Sequence, residues 1–368
     1  LSILLASKRR DGAQVLDLTE SNPTRAQLSY PSQEILRAFA NPRSLVYNPA
    51  PAGLPQAREV IGAAHGVAAD RVMLTASTSE AYAWLFKLLA NPGDQILAPR
   101  PSYPLFEFLA TLESVEIRHY PLIYQEGWFI DFDELKRAIT DRTRAIVVVN
   151  PNNPTGSYLK RDELRQLLQL CAERGLPIIS DEVFADYALT EDRQRIPTLQ
   201  ASSDVLTFCL SGLSKVVGLP QMKLGWMLIG GPAALREQAA ERLELIADTY
   251  LSVGAPVQHA LPALLAAKGG FQKQVLARLH ANLKFLRASL AGSAIRILQV
   301  EGGWCVILRV PRVRTEEDWV TGLLEQENVL VQPGYFYDFD SEAFLVLSLL
   351  TAQETFAEAV RRVQAFAG

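Results

Sequence analysis

Between residues 72 and 230, short and nearly continuous apolar runs alternate with stretches whose apolar positions recur at helical spacing. The runs Val72–Thr75, Gln95–Ala98, Val115–Arg118, Ala145–Val149, Pro177–Ser180, Val205–Phe208 and Gly225–Ile229 predict seven strands. Strands that lack polar alternation are covered on both faces, so the pattern predicts a mostly parallel sheet in an α/β layer. Helices are expected over 79–90 and 161–174, the second stopped by Gly175. After Ala255 the rhythm changes to long amphipathic stretches at Val257–Ala267 and Phe271–Leu290. Apolar runs follow at 295–300 and 304–310, and a last helix starts near Ala352. No internal repeat or low-complexity tract interrupts the chain.

Length and charge narrow the possibilities. A chain of 368 residues exceeds one ordinary core, so about two domains are expected. With 49% apolar and 21% charged residues the composition is that of a soluble globular protein, and a net charge of −4 offers no field for nucleic acid. Lys8-Arg9-Arg10 follows the opening apolar stretch, the reverse of a signal peptide, and no run is long enough to cross a membrane. Cys171, Cys209 and Cys305 lie far apart in apolar sequence, which suits buried free thiols and a cytoplasmic setting. His65, His119, His259 and His280 show no metal-ligand spacing, so no metal site is expected.

Chemistry concentrates where strands end. Ser211-Gly-Leu-Ser-Lys215 places a lysine in a small-residue loop, with a second cation, Lys223, eight positions on. An amine attacks a carbonyl only when neutral, and a second cation in a partly dry site lowers a lysine's pKa toward that form. Lys215 is therefore the first nucleophile to consider. Asp181, in Pro177-Ile-Ile-Ser-Asp181, and Asn153, in Asn150-Pro-Asn-Asn153-Pro-Thr-Gly156, each follow a strand. Ser77, Thr78 and Ser79 join a strand to an apolar helix, a turn that presents hydroxyls, backbone N–H groups and a positive helix end to a phosphate. Tyr103, in Pro101-Ser-Tyr103-Pro, fixes an aromatic ring in a turn. In an open α/β sheet ligands bind at the carboxyl ends of strands, so these residues are expected to share one site. The absence of G-x-G-x-x-G after the first strand argues against a dinucleotide fold.

These five ordered motifs resemble those of the class I/II aminotransferases, fold type I of the pyridoxal 5'-phosphate (PLP) enzymes, over nearly the whole chain. The resemblance implies a large PLP-binding domain over residues 41–254 and a smaller α+β domain made from 1–40 and 255–368. It implies that Lys215 forms a Schiff base with PLP, that Asp181 keeps the pyridine nitrogen protonated, and that Ser77, Thr78, Ser79 and Lys223 hold the phosphate. Tyr103 is the ring expected to stack on the cofactor, and Asn153 the donor to its phenolic oxygen. Tyr47, in Tyr47-Asn-Pro-Ala-Pro-Ala-Gly53, resembles the tyrosine that crosses to the neighbouring subunit's phosphate, which implies a homodimer.

Three positions depart from the family. Lys223 stands where an arginine is usual, so a bidentate fork becomes a point charge. Phe184 stands where many members have a tyrosine that donates to the phenolic oxygen. Val346, two residues before Ser348, occupies the position of the arginine that grips the substrate's α-carboxylate, and no arginine lies between Arg314 and Arg361. Either another cation replaces the fork or the substrate lacks an ordinary α-carboxylate. Ser21, Asn22 and Arg25 belong to a loop that resembles the substrate-covering segment, which makes Arg25 the candidate substitute. The expected activity is amino transfer from an amino acid or amine to a keto acid. A β-eliminating lyase begins with removal of the same proton and is the alternative. A non-catalytic PLP-binding module is the third reading, disfavoured by the presence of both Lys215 and Asp181.

Overall fold

A computed structural model describes residues 1–367. Its centre is an eight-stranded sheet. In chain order the strands are β1 (Val72–Thr75), β2 (Gln95–Arg100), β3 (Glu116–Tyr124), β4 (Trp128–Ile130), β5 (Thr143–Val149), β6 (Ile178–Asp181), β7 (Thr207–Gly212) and β8 (Gly225–Gly230). They lie side by side as β1-β8-β7-β6-β5-β2-β3-β4. Strand β8 is antiparallel to both its neighbours and β4 is antiparallel to β3, while the other pairings are parallel. The sequence pattern predicts seven strands, and β4 is the eighth. Three residues after the turn at Gly127 are too few to show a period, so only pairing with β3 reveals this strand.

Successive residues of the buried strands feed two different cores. Leu74, Ile146, Val148, Ile178, Cys209 and Leu228 pack on one face with the helices Pro55–His65, Arg161–Arg174 and Ala255–Ala266. Met73, Ala145, Val147, Ile179, Phe208 and Met227 pack on the other with Thr78–Leu89, Leu105–Leu112 and Ala233–Asp248. This two-sided burial is why the strands show no polar alternation in sequence, and each fully buried aliphatic side chain contributes roughly 1.5–3 kcal/mol. Helix Arg161–Arg174 ends at Gly175 in the left-handed region, φ 62°. That geometry requires a residue without Cβ strain, as the sequence indicates.

A second sheet of four short antiparallel strands, β9 (Arg296–Ile297), β10 (Cys305–Arg309), β11 (Gln332–Pro333) and β12 (Phe344–Ser348), runs in the order β9-β10-β12-β11. It shares a core with the helices Lys268–Ser289, Glu316–Glu327 and Gln353–Ala367. The N-terminal segment is tied to this unit, since Leu16–Asp17 pairs in parallel with Val329–Leu330 and the Ser348 N–H donates to the Leu18 carbonyl at 2.7 Å. This pairing carries Thr19 and Ser21 to the mouth of the site. Ile35, in the helix Ser32–Ala38, instead joins the core of the large sheet beside Val257 and Leu261, so residues 1–40 and 255–368 contribute to both cores.

Candidate active site

The carboxyl ends of β1, β2, β5, β6 and β7 open onto a cavity of about 410 Å³. Because β8 runs the other way, its start, rather than its end, reaches the same edge. That reversal brings Lys223 and Gly225 into the cavity wall beside Ser77 and Lys215. A Cβ on Gly225 would lie 3.1 Å from the Ser211 carbonyl oxygen and 3.2 Å from the Ser77 backbone, so a side chain there would push these closely packed segments apart by a few tenths of an ångström.

Lys215 sits on the one-turn helix Leu213–Val216 directly after β7. Its Nζ lies 4.5 Å from the ring centre of Trp304 and 5.2 Å from that of Phe184. Burial lowers the amine to about 8, against the smaller upward pull of Cys305 and Asp181. Roughly one molecule in ten then carries a free amine at pH 7, far more than for a solvated lysine. Tyr187 fixes the lysine's backbone by donating its hydroxyl to the Lys215 carbonyl. Asp181 ends β6, and burial raises its carboxyl to about 6. Its Oδ2 accepts from the Tyr82 hydroxyl at 3.0 Å and its Oδ1 from the Val183 N–H at 3.2 Å, and these bonds with Lys215 limit the rise.

Ser77 caps the helix Thr78–Leu89, its Oγ accepting from the Glu80 N–H at 3.2 Å. The remaining N–H groups of that first turn have no partner within the helix, and Thr78 and Ser79 line the cavity. Lys223 holds a left-handed backbone, φ 49°, costly for a residue with a Cβ and common where function fixes a conformation. Of the three asparagines after β5, Asn150 and Asn152 are spent on the fold. The Asn150 amide donates to the Ile196 carbonyl, and that of Asn152 donates to the Pro101 carbonyl and the Thr155 hydroxyl. Asn153 lines the cavity, and its side chain has no partner among the described residues. Tyr103 lines the cavity with 39% of its surface exposed and meets Phe106 edge-on.

A buried carboxylate, a depressed lysine, an idle amide, an exposed ring and an open helix end are the donor set that PLP requires, and together they fit it. Tyr82, Trp304, Cys305, Gln332 and Tyr337 also line the cavity and have no motif in the sequence. Cys305 therefore differs from the core thiol its apolar surroundings suggest, since its side chain faces Lys215 across the cavity, and burial pushes it up to about 12. Three other positions lie outside the wall. Tyr47 is 81% exposed on a surface segment, and Arg25 is exposed. Asn22 accepts from the N–H and hydroxyl of Thr24, whereas Ser21 of the same loop does line the cavity.

Comparison with known proteins agrees with this geometry. The profile of the family "Aminotransferase class I and II" matches residues 13–363. The chain is 31% identical over 279 residues to the glutamate-pyruvate aminotransferase AlaA of Escherichia coli, covering 73% of this chain and 68% of that protein. It is 30% identical over 309 residues to the alanine aminotransferase of Mycobacterium bovis, covering 81% and 71%. Among solved structures, the alanine aminotransferase from Pyrococcus furiosus superposes with a TM-score of 0.90 at 26% identity, covering 100% of this chain and 95% of that one. The chain belongs to the class I and II aminotransferases and is a PLP-dependent transaminase of fold type I. No helix among the described residues is long and apolar enough to cross a membrane.

Proposed function

We propose that transamination in this chain is carried by Lys215, which holds PLP covalently and, once freed by the substrate amine, serves as the base. The observation that carries the assignment is a half-buried lysine, lowered to about 8, placed at the strand end beside the buried Asp181 carboxylate. When bound, PLP supplies the electron sink for the pair left behind as the substrate's α-proton departs. Lys215 Nζ takes that proton, and the walls formed by Trp304 and Phe184 keep water from competing for it. Asp181 would stand against the pyridine nitrogen and keep it protonated, with Tyr82 holding the carboxylate in place. Ser77, Thr78, Ser79 and Lys223 would hold the phosphate, Asn153 would donate to the phenolic oxygen and Tyr103 would cover the ring. Ser21, Asn22 and Arg25 form the covering loop on the substrate side, with Ser21 nearest the cavity.

The working unit in this proposal is a cytoplasmic homodimer in which Tyr47 reaches the partner's phosphate, and residues 1–40 with 255–368 form the smaller domain. Tyr47 does not line its own chain's cavity, and Leu45 and Val46 beside it are exposed apolar residues, which supports an intersubunit role. Borohydride reduction of the purified yellow protein should attach the cofactor to the peptide bearing Lys215. Lys215→Ala should lose both the adduct and turnover, and an adduct on another lysine would sink the assignment. Single-turnover spectra separate transamination, which leaves pyridoxamine phosphate, from elimination, which does not.

A further inference from the structure

We infer that the amino donor of this enzyme carries an uncharged group, rather than a carboxylate, beside the carbon that bears its amine. The inference rests on the cavity around Lys215 being the reaction site. Among the described residues only two basic side chains line that cavity, Lys215 and Lys223. The first is committed to the cofactor. The second stands in the wall with Ser77–Ser79, where the proposed function puts the phosphate, so neither basic side chain of this subunit remains to meet a substrate anion.

The opposite end is built from Thr19, Trp304, Cys305, Gln332, Tyr337 and Ser348, none of them charged. Most of their polar atoms already have partners. The Tyr337 hydroxyl donates to Gln332 Oε1, the Ser348 hydroxyl to the Glu20 carbonyl at 2.6 Å, and the Thr19 hydroxyl to Asp17 Oδ1 at 2.6 Å. The Gln332 amide N–H₂ has no partner among the described residues and, with the buried indole N–H of Trp304, is a neutral donor left over. Opposite Gln332 in the strand register lies Val346, 1% exposed and packed with Trp128, Leu298, Ile307 and Tyr337.

Nearby arginines are turned elsewhere. Arg100 donates to the Asp338 carbonyl at 2.7 Å and pairs with Asp340 at 2.9 Å, and Arg25 lies exposed outside the wall. A carboxylate entering this end would shed its hydration without gaining a charged partner. An amide, ester or ketone sheds less hydration than a carboxylate and its carbonyl can accept from Gln332 Nε2, while an alkyl group needs no partner there.

The test uses PLP-loaded enzyme whose borohydride adduct has been mapped to Lys215, so that failure of the site assignment is seen separately from failure of this inference. Isobutyramide and isobutyrate, matched in shape and unable to react, are titrated against the visible absorption band. L-Alaninamide and L-alanine are then compared in single-turnover rate per unprotonated amine. The uncharged member is expected to win both comparisons by about tenfold or more, the worth of one hydrogen bond to a charged group. Val346→Arg should move both ratios toward the carboxylate. A wild-type preference for the carboxylate in either readout overturns the inference, as does failure to react with the uncharged donor. Loss of carboxylate binding in Arg25→Ala also overturns it, by showing that the loop supplies the missing cation. The two wild-type measurements decide the matter even if Val346→Arg does not fold.

Discussion

Asp181 shows how one buried atom pair couples stability to chemistry. Its carboxyl rises from an ordinary 3.8 to about 6, chiefly through burial, so in the cofactor-free chain it binds a proton more tightly folded than unfolded. That contribution to stability is complete below about pH 3.8 and is lost as the pH rises through about 6. Above that range the buried charge costs up to about 3 kcal/mol, at 1.36 kcal/mol per pH unit. Asp181→Asn removes the charge and keeps one acceptor oxygen for the Val183 N–H, while its amide N–H₂ can donate to the Tyr82 hydroxyl. In the cofactor-free protein it should raise Tm at pH 8 and change it little at pH 3.5, and an equal change at both would show that ionisation is not the cause. In the loaded enzyme the same substitution removes the partner of the pyridine nitrogen, so proton abstraction should slow by orders of magnitude. A fall of less than about tenfold, ~1.4 kcal/mol of barrier, would mean that Asp181 has another role.

The elements that carry the site differ in whether their residues also serve the fold. Ser77 caps its helix and, in the proposed site, would also cradle the phosphate, and Glu80 completes the turn by accepting from the Ala76 N–H at 2.6 Å and the Ser252 hydroxyl at 2.7 Å. Ser77→Ala should therefore cost about 1 kcal/mol in the cofactor-free chain, measured by denaturant unfolding, and also weaken PLP retention. The Lys223 side chain has no partner among the described residues, so Lys223→Ala should spare stability and weaken PLP binding by about 1.5–3 kcal/mol, while Lys223→Arg is tolerated. Unchanged PLP affinity in Lys223→Ala would place its ammonium away from the phosphate. The same distinction explains what the sequence makes legible. Ser77, Asn153, Asp181 and Lys215 stand immediately after apolar runs, so locating the strands locates them. Tyr82 lies inside an amphipathic helix, Trp304 and Cys305 stand at the start of β10, and Tyr337 ends the turn that follows β11. They look like core residues until packing sets them around Lys215. Strand β4 and the helix Leu105–Leu112 are too short for a reliable period, and the latter begins beside Pro104, where turn chemistry dominates.

At the scale of the whole molecule, one surface segment presents a run of apolar side chains to water. Leu45, Val46 and Tyr47 are 90%, 65% and 81% exposed, and this stretch borders a second cavity with Trp84 and Leu251 at its rim. Apolar side chains held this far into water are characteristic of an interface, and a twofold pair would bury the patch on both chains at once. Sedimentation should therefore give twice 40.7 kDa. The sharper test asks whether Tyr47 serves its own site or the partner's. Lys215→Ala and Tyr47→Ala proteins should each be impaired alone, the first in turnover and the second in cofactor retention. In a mixed dimer the Tyr47→Ala subunit keeps its own lysine and receives the tyrosine of the Lys215→Ala subunit, which restores one complete site. Random mixing at equal amounts should then return about a quarter of the wild-type sites, read as tightly held PLP with full turnover. Recovery no better than the average of the two separate variants would place Tyr47 in its own subunit's structure and remove it from the phosphate.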